Sequence, residues 1–152
     1  MKIKLDKDAI MPTRAHEHDA GLDLYAPKMT SIPGSRFAPA MYGQGYGKVH
    51  IGRGTIDTGV HVQIPEGMVG YIKARSSLLA NFGLLTDGTI DSGYTGSIRV
   101  TMFNTTCKDY VINAGDKIAQ LVIQPCALPG LVQVDELEET ERGASGFGST
   151  GK

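Results

Sequence analysis

An all-β domain is the fold class this sequence predicts, on three observations. Its 20 glycines and 7 prolines lie scattered between short apolar runs, the pattern of many short strands joined by tight turns. Apolar and polar residues alternate at Val60, Val62 and Ile64, and again at Ile98, Val100 and Met102 with Arg99 and Thr101 between them. That period of two belongs to strands with one face buried. Helix-forming character is confined to one brief stretch, Ser76-Ser77-Leu78-Leu79-Ala80-Asn81. At most one or two short helices are expected.

At 152 residues the chain suits one domain with a real core. Hydrophobic residues are 41% and charged residues 20%, a globular rather than a disordered balance. No run approaches the roughly 20 apolar residues of a membrane helix, so no membrane partner is expected. The stretch Met-Lys-Ile-Lys-Leu-Asp-Lys-Asp carries no apolar signal region, and the expected location is the cytoplasm. Cys107 and Cys126 are too few for a disulfide scaffold and lack metal-site spacing. A net charge of −1 argues against stable nucleic-acid binding. It leaves room for a small anion held by a few focused groups.

Lys2 to Leu5 alternates as a first strand. His16-Glu17-His18-Asp19 looks like a metal cluster at first sight, but His-x-His without further ligands at known spacing reads as a polar turn. Asp19 to Ala26 enters a strand. Asp23, between Leu22 and Leu24, points away from what those leucines bury, onto a solvated face or into a polar site. Residues 36–54 interleave Phe37, Tyr42 and Tyr46 with glycines and read as an extended loop or irregular hairpin, self-packed or offering a contact surface. Val60 to Ile64 is a strand closed by a turn at Pro65-Glu66-Gly67, and Met68 to Ala74 is the next. A short helix from Ser76, with serine as its cap, would aim free N–H groups at an anion beside Arg75. A capped helix with a solvated arginine is the plain alternative. Tyr110 to Ile112 is a strand and Asn113 to Asp116 a turn. Lys117 to Gln124 is a strand burying Ile118, Leu121 and Ile123. Gln120 among them is either satisfied in the core or in contact with a ligand.

The stretch Gly88-Thr89-Ile90-Asp91-Ser92-Gly93-Tyr94-Thr95-Gly96 reads as a hairpin. Its glycines would let a ligand approach the backbone, and main-chain N–H and C=O groups could read a planar base. Asp91 would face a reacting centre and Tyr94 would form a flat wall. On this stretch alone a surface hairpin with an Asx-type turn is the better reading. The tail is acidic from Glu136 to Glu141. It then runs Arg142-Gly143-Ala144-Ser145-Gly146-Phe147-Gly148-Ser149-Thr150-Gly151-Lys152, a composition that predicts flexibility when free. The Walker order of glycines, lysine and serine is absent.

Taken together, five of these segments resemble, in order, the five motifs of the trimeric dUTPase family. They are Ala20-Gly21-Leu22-Asp23-Leu24; Arg75-Ser76-Ser77-Leu78; Gly88 to Gly96; Gly115-Asp116-Lys117-Ile118-Ala119-Gln120-Leu121; and Arg142 to Gly151. One motif alone would be weak, but five in order are specific. The match departs from the family at Gly93, where an acidic or polar residue is usual, and at Ser145, which replaces a tail glycine. The segment between the first two motifs is also longer, as in a phage-type or otherwise divergent member.

The resemblance implies a jelly-roll-like β-barrel or sandwich over residues 1–141, with residues 36–54 as an extended loop insertion and 142–152 as a flexible glycine-rich arm. It implies hydrolysis of dUTP to dUMP and pyrophosphate. Asp91 would activate the water that attacks the α-phosphorus. Tyr94 would pack under the deoxyribose and exclude a 2′-OH. The backbone of Gly88, Thr89 and Ile90 would read uracil. Arg75, Ser76 and Gln120 would hold phosphate oxygens and Arg142 the terminal phosphate. Phe147 would stack on the base, with Ser77, Arg99, Gly148 and Ser149 as further substrate contacts. Mg²⁺ would bind through the triphosphate and water, with Asp23 ordering that shell from outside rather than as a ligand. The implied assembly is a homotrimer with active sites between subunits. dCTP deaminases share the fold and a similar Ile-Asp-x-Gly stretch, but place a glutamate where this chain has Thr101, and threonine cannot shuttle the proton. A regulatory binding module on the same fold, using the aromatic and glycine-rich loop, is the non-enzymatic alternative.

Overall fold

Antiparallel strands build both main sheets of the protein, whose structure is a computed structural model describing residues 1–39 and 47–144. The elements in chain order are β1 (Lys2–Leu5), β2 (Gly21–Tyr25), β3 (Thr30–Ile32), β4 (Arg36–Ala38), β5 (Lys48–His50), β6 (Gly52–Gln63), β7 (Met68–Ala74), α1 (Ser76–Phe82), β8 (Leu84–Leu85), β9 (Asp87–Ile90), β10 (Ser97–Asn104), β11 (Tyr110–Ile112) and β12 (Lys117–Pro125).

One four-stranded sheet has the order β1-β6-β10-β8 and the other β2-β12-β7-β9. Every pairing is antiparallel. Along β10, Ile98, Val100 and Met102 are buried while Arg99 and Phe103 face out. Ile56, Val60 and Val62 do the same on β6. These side chains meet Leu24, Ile72, Ile118 and Leu121 of the second sheet in one core. Two antiparallel sheets packed over a shared core form a jelly-roll-like sandwich. Among the described residues the sheets do not close on each other, so sandwich rather than barrel is the right term.

Two local expectations are corrected. Gly88 to Gly96 is not a hairpin, because β9 lies in the second sheet and β10 in the first. Period-two alternation identifies a strand but not the sheet it joins, and residues 91–96 are a crossing between sheets. Ser76 is not the helix cap: Arg75 occupies that position, with extended backbone and no side-chain cap bond. In the segment 36–54, read as an extended loop or an irregular hairpin, β4 pairs antiparallel with β5 as the second reading has it, and the segment's last residues already belong to β6. Its residues 40–46, with Tyr42 and Tyr46, lie outside the described residues. At the other end of α1, Gly83 adopts φ 63° and its N–H closes the helix on the Leu79 carbonyl at 3.0 Å, a left-handed stop that glycine allows.

After β12 the chain makes no helix or strand through residue 144. Among the described residues no helix is long and apolar enough to cross a membrane.

Candidate active site

Two separate constellations carry the predicted site residues. The first surrounds Asp23. Its neighbours Leu22 and Leu24 turn the carboxylate to the opposite face of β2, yet Asp23 is only 2% exposed. A buried carboxylate needs partners, and the neighbouring strand supplies them. Lys117 Nζ lies 2.7 Å from one carboxylate oxygen. Gln120 Nε2 donates to the other at 3.2 Å. Arg75 Nε stands 3.7 Å from that same oxygen, and its Nη1 donates to the Lys117 carbonyl at 3.3 Å. The register explains the assembly, since Gln120 pairs directly with Asp23 across β12 and β2. Burial pushes the Asp23 carboxyl up. The hydrogen bonds from Lys117 and Gln120, with the charges of Lys117 and Arg75, outweigh it and hold the group below the usual carboxylate range. The same bond with Asp23 raises Lys117.

This group holds two cations against one carboxylate, and both cationic side chains remain about one-third exposed. The residual positive charge faces an open surface where an anion can sit. Ser76 and Ser77 are exposed beside it at the start of α1. The positive field comes from Arg75 and Lys117, because a helix of 7 residues adds little dipole. Lys117 is the member that sequence reasoning missed. It stood inside the fourth motif, but nothing local pairs it with a residue so far away in the chain.

The second constellation is the crossing from β9 to β10. Its turn is closed by the Tyr94 N–H donating to the Asp91 carbonyl at 3.0 Å. Tyr94 Oη donates to the Ser97 carbonyl at 2.9 Å. The ring lies against Gly96, where an added Cβ would come within 2.4 Å of the hydroxyl. Asp91 and Tyr94 are exposed. Gly88, Thr89 and Ile90 lie on β9, the edge strand of its sheet. An edge leaves one row of main-chain N–H and C=O groups open for pairing with a ligand.

The two constellations stand apart in one chain. Lys73 pairs with Asp87 and Gly70 with Ile90, so Arg75 and Asp91 sit at opposite ends of the β7–β9 pair. At about 3.3 Å per residue that separates them by on the order of 20 Å. Arg99 joins neither group: its Nε faces an Asp57 oxygen at 3.5 Å on the first sheet. Thr101 presents its hydroxyl to the Thr55 hydroxyl at 3.0 Å, with no carboxylate at that position. Arg142 lies in an exposed turn at 141–144. Phe147, Gly148 and Ser149 lie outside the described residues.

An open, glycine-bearing sheet edge and a cation-flanked carboxylate on a jelly-roll-like sandwich suit a small anionic ligand with a planar group. The dUTPase family profile matches residues 48–151. The deoxyuridine 5'-triphosphate nucleotidohydrolase of Yarrowia lipolytica is 39% identical over 150 residues, covering 97% of this chain and 85% of that protein. Among solved structures, the dUTPase of Staphylococcus bacteriophage 80alpha with dUpNHpp superposes with a TM-score of 0.81 at 31% identity, covering 99% of this chain and 98% of that one. A variant dUTPase from phage phi11 of S. aureus, whose structure details the coordination of a structural Mg(II) ion, gives a TM-score of 0.74 at 29% identity, over 91% and 98%. This chain belongs to the dUTPase family.

Proposed function

We propose that the protein hydrolyses dUTP to dUMP and pyrophosphate at sites built between chains of a homotrimer. The observation that carries this is the division of the family's motif residues into two half-sites on the order of 20 Å apart in a single chain. One half, Arg75, Lys117 and Gln120 around Asp23, suits phosphate oxygens. The other, the β9 edge with Asp91 and Tyr94, suits base, sugar and attacking water. Neither is complete alone, and bringing two chains together completes both. Leu128, Leu131, Val132 and Leu137 also stand exposed on the segment after β12, an apolar surface that a second chain would cover.

In this reading Asp91 orients a water and takes its proton as the oxygen attacks the α-phosphorus. The bond to the bridging oxygen breaks and pyrophosphate leaves with the charge. Tyr94, held by Ser97 and Gly96, leaves no room for a 2′-OH. Arg75, Ser76, Ser77 and Gln120 hold phosphate oxygens. The tail adds Arg142 at the terminal phosphate, Phe147 over the base, and Gly148 and Ser149 as further contacts.

The donor set suits Mg²⁺ carried on the substrate. Asp23 is already held by Lys117 and Gln120, so the carboxylate can order outer water without surrendering its partners. When bound, the ion would offset phosphate charge. The test is pyrophosphate release from each deoxynucleoside triphosphate in turn, with ammonia measured for dCTP. Release confined to dUTP is expected, and ammonia from dCTP would overturn the assignment.

A further inference from the structure

We propose that His61 is a positioning residue for this reaction: one ring nitrogen holds the Thr95 carbonyl and the other the Asp6 carboxylate, fixing the crossing that presents Asp91 and Tyr94. The proposal rests on the functional reading above and adds a residue that lies outside the five motifs.

His61 sits on β6 between two strands, paired with Lys4 of β1 and Ser97 of β10. Its Nδ1 is 2.8 Å from the Thr95 carbonyl oxygen. Its Nε2 is 3.0 Å from Asp6 Oδ2. Asp6 is itself anchored, since its N–H donates to the Gly59 carbonyl at 2.9 Å. The ring therefore ties the end of the crossing to the middle of the first sheet. Thr95 directly follows Tyr94, so a shift of this carbonyl moves the tyrosine and the turn that holds Asp91.

Both neighbours of the ring are acceptors. A carbonyl and an ionised carboxylate have no proton to give, so both ring nitrogens must donate. Only the imidazolium does that. A neutral ring has one N–H and leaves a lone pair facing an oxygen at the other end, whichever tautomer it takes. The Asp6 bond, then the Thr95 bond, raises the His61 pKa above the ordinary histidine value, and the same bond lowers Asp6. Lys4 faces the ring from β1 and works against the raised value, but its ammonium is also drawn to Asp6 at 3.7 Å. From β10, Ser97 brings no charge. Asp57, further along β6, is engaged by Ser97 and Arg99. The bridge is intact between the lowered pKa of Asp6 and the raised pKa of His61, and is lost as pH rises through the latter.

The test uses the full-length protein, with His61→Phe and Asp6→Asn as variants. Two-dimensional NMR follows the His61 ring and the Thr95 and Tyr94 amides through a pH titration without nucleotide. In the wild type all three should move with one midpoint above the ordinary ~6.5. Asp6→Asn should carry that midpoint downward. With dUTP, the alkaline limb of the kcat profile should share the same midpoint and shift with it in Asp6→Asn. His61→Phe should lose about 10- to 100-fold in kcat at pH 6, the scale of a misplaced reacting group, and should lack that limb. Amides that ignore the His61 titration would overturn the proposal, as would a kcat limb unmoved in Asp6→Asn. If dUTP is not turned over at any pH, the functional reading fails, while the NMR titration still decides whether His61 holds the crossing.

Discussion

Asp91 and Tyr94 stand three residues apart on one crossing, yet the chemistry asks different things of them. Asp91→Asn keeps shape and hydrogen bonding and loses the proton acceptor. Turnover should fall by about 10² to 10⁴ with dUTP binding retained, and an unchanged kcat in steady-state assays would remove Asp91 from the mechanism. Tyr94→Ala should instead raise UTP hydrolysis relative to dUTP, and a constant ratio of the two rates would show that the tyrosine is not the sugar gate. Both residues stand out in the sequence because their motif is contiguous. The partners of Asp23 were not legible in the same way. Lys117 and Gln120 reach it only through the β12–β2 register, and no local pattern specifies a pairing across so much chain. His61 was invisible for the same reason, since its partners come from the residue after β1 and from the crossing.

Of the longer strands, β7, β10 and β12 were read from the sequence, while β6 was read only from Val60. β7 runs over the predicted residues, and β10 buries the three apolar side chains expected of it. β3 and β8 passed unnoticed because such short strands carry little periodicity to separate them from loops, although β11, as short as β3, was read; β4 and β5 fell within the segment read as an extended loop or irregular hairpin. The crossing was mistaken for a hairpin because glycine marks tight turns and sheet-to-sheet crossings alike. Its geometry makes Gly96 a sensitive position. Gly96→Val would set a branched side chain against the Tyr94 hydroxyl, 2.4 Å from the added Cβ. The obstruction is a side-chain tip on an exposed loop, so the cost in stability should stay below about 1 kcal/mol by thermal unfolding. Displacing the ring should cost at least roughly tenfold in kcat/KM for dUTP. Full activity in this variant would show that the ring's place against Gly96 is incidental.

At the scale of the molecule, one cluster sets a pH dependence and forms one half of the proposed shared site. Asp23 is held below its ordinary pKa, so its stabilisation is present above about pH 4 and is lost as pH falls through the depressed value. Asp23→Asn should cost about 1–2 kcal/mol at neutral pH, less than a fully buried pair because Lys117 and Arg75 are part-exposed. Its acid unfolding should also flatten in melts taken from pH 6 to pH 3, and an unaltered acid limb would assign that instability elsewhere. The division into two half-sites leads to the strongest test of assembly. Arg75→Ala and Asp91→Asn should each be nearly inactive alone. If every site takes Arg75 from one chain and Asp91 from another, mixing equal amounts and allowing subunits to exchange through mild denaturant restores some complete sites. Independent assortment makes each half intact with a chance of one in two, so about a quarter of wild-type turnover should return. If both residues served one site within one chain, every chain would carry a dead site and no mixture would recover activity. A mixture that stays inactive, while sedimentation shows that the subunits have exchanged, would place the two half-sites in the same chain and overturn the shared-site arrangement.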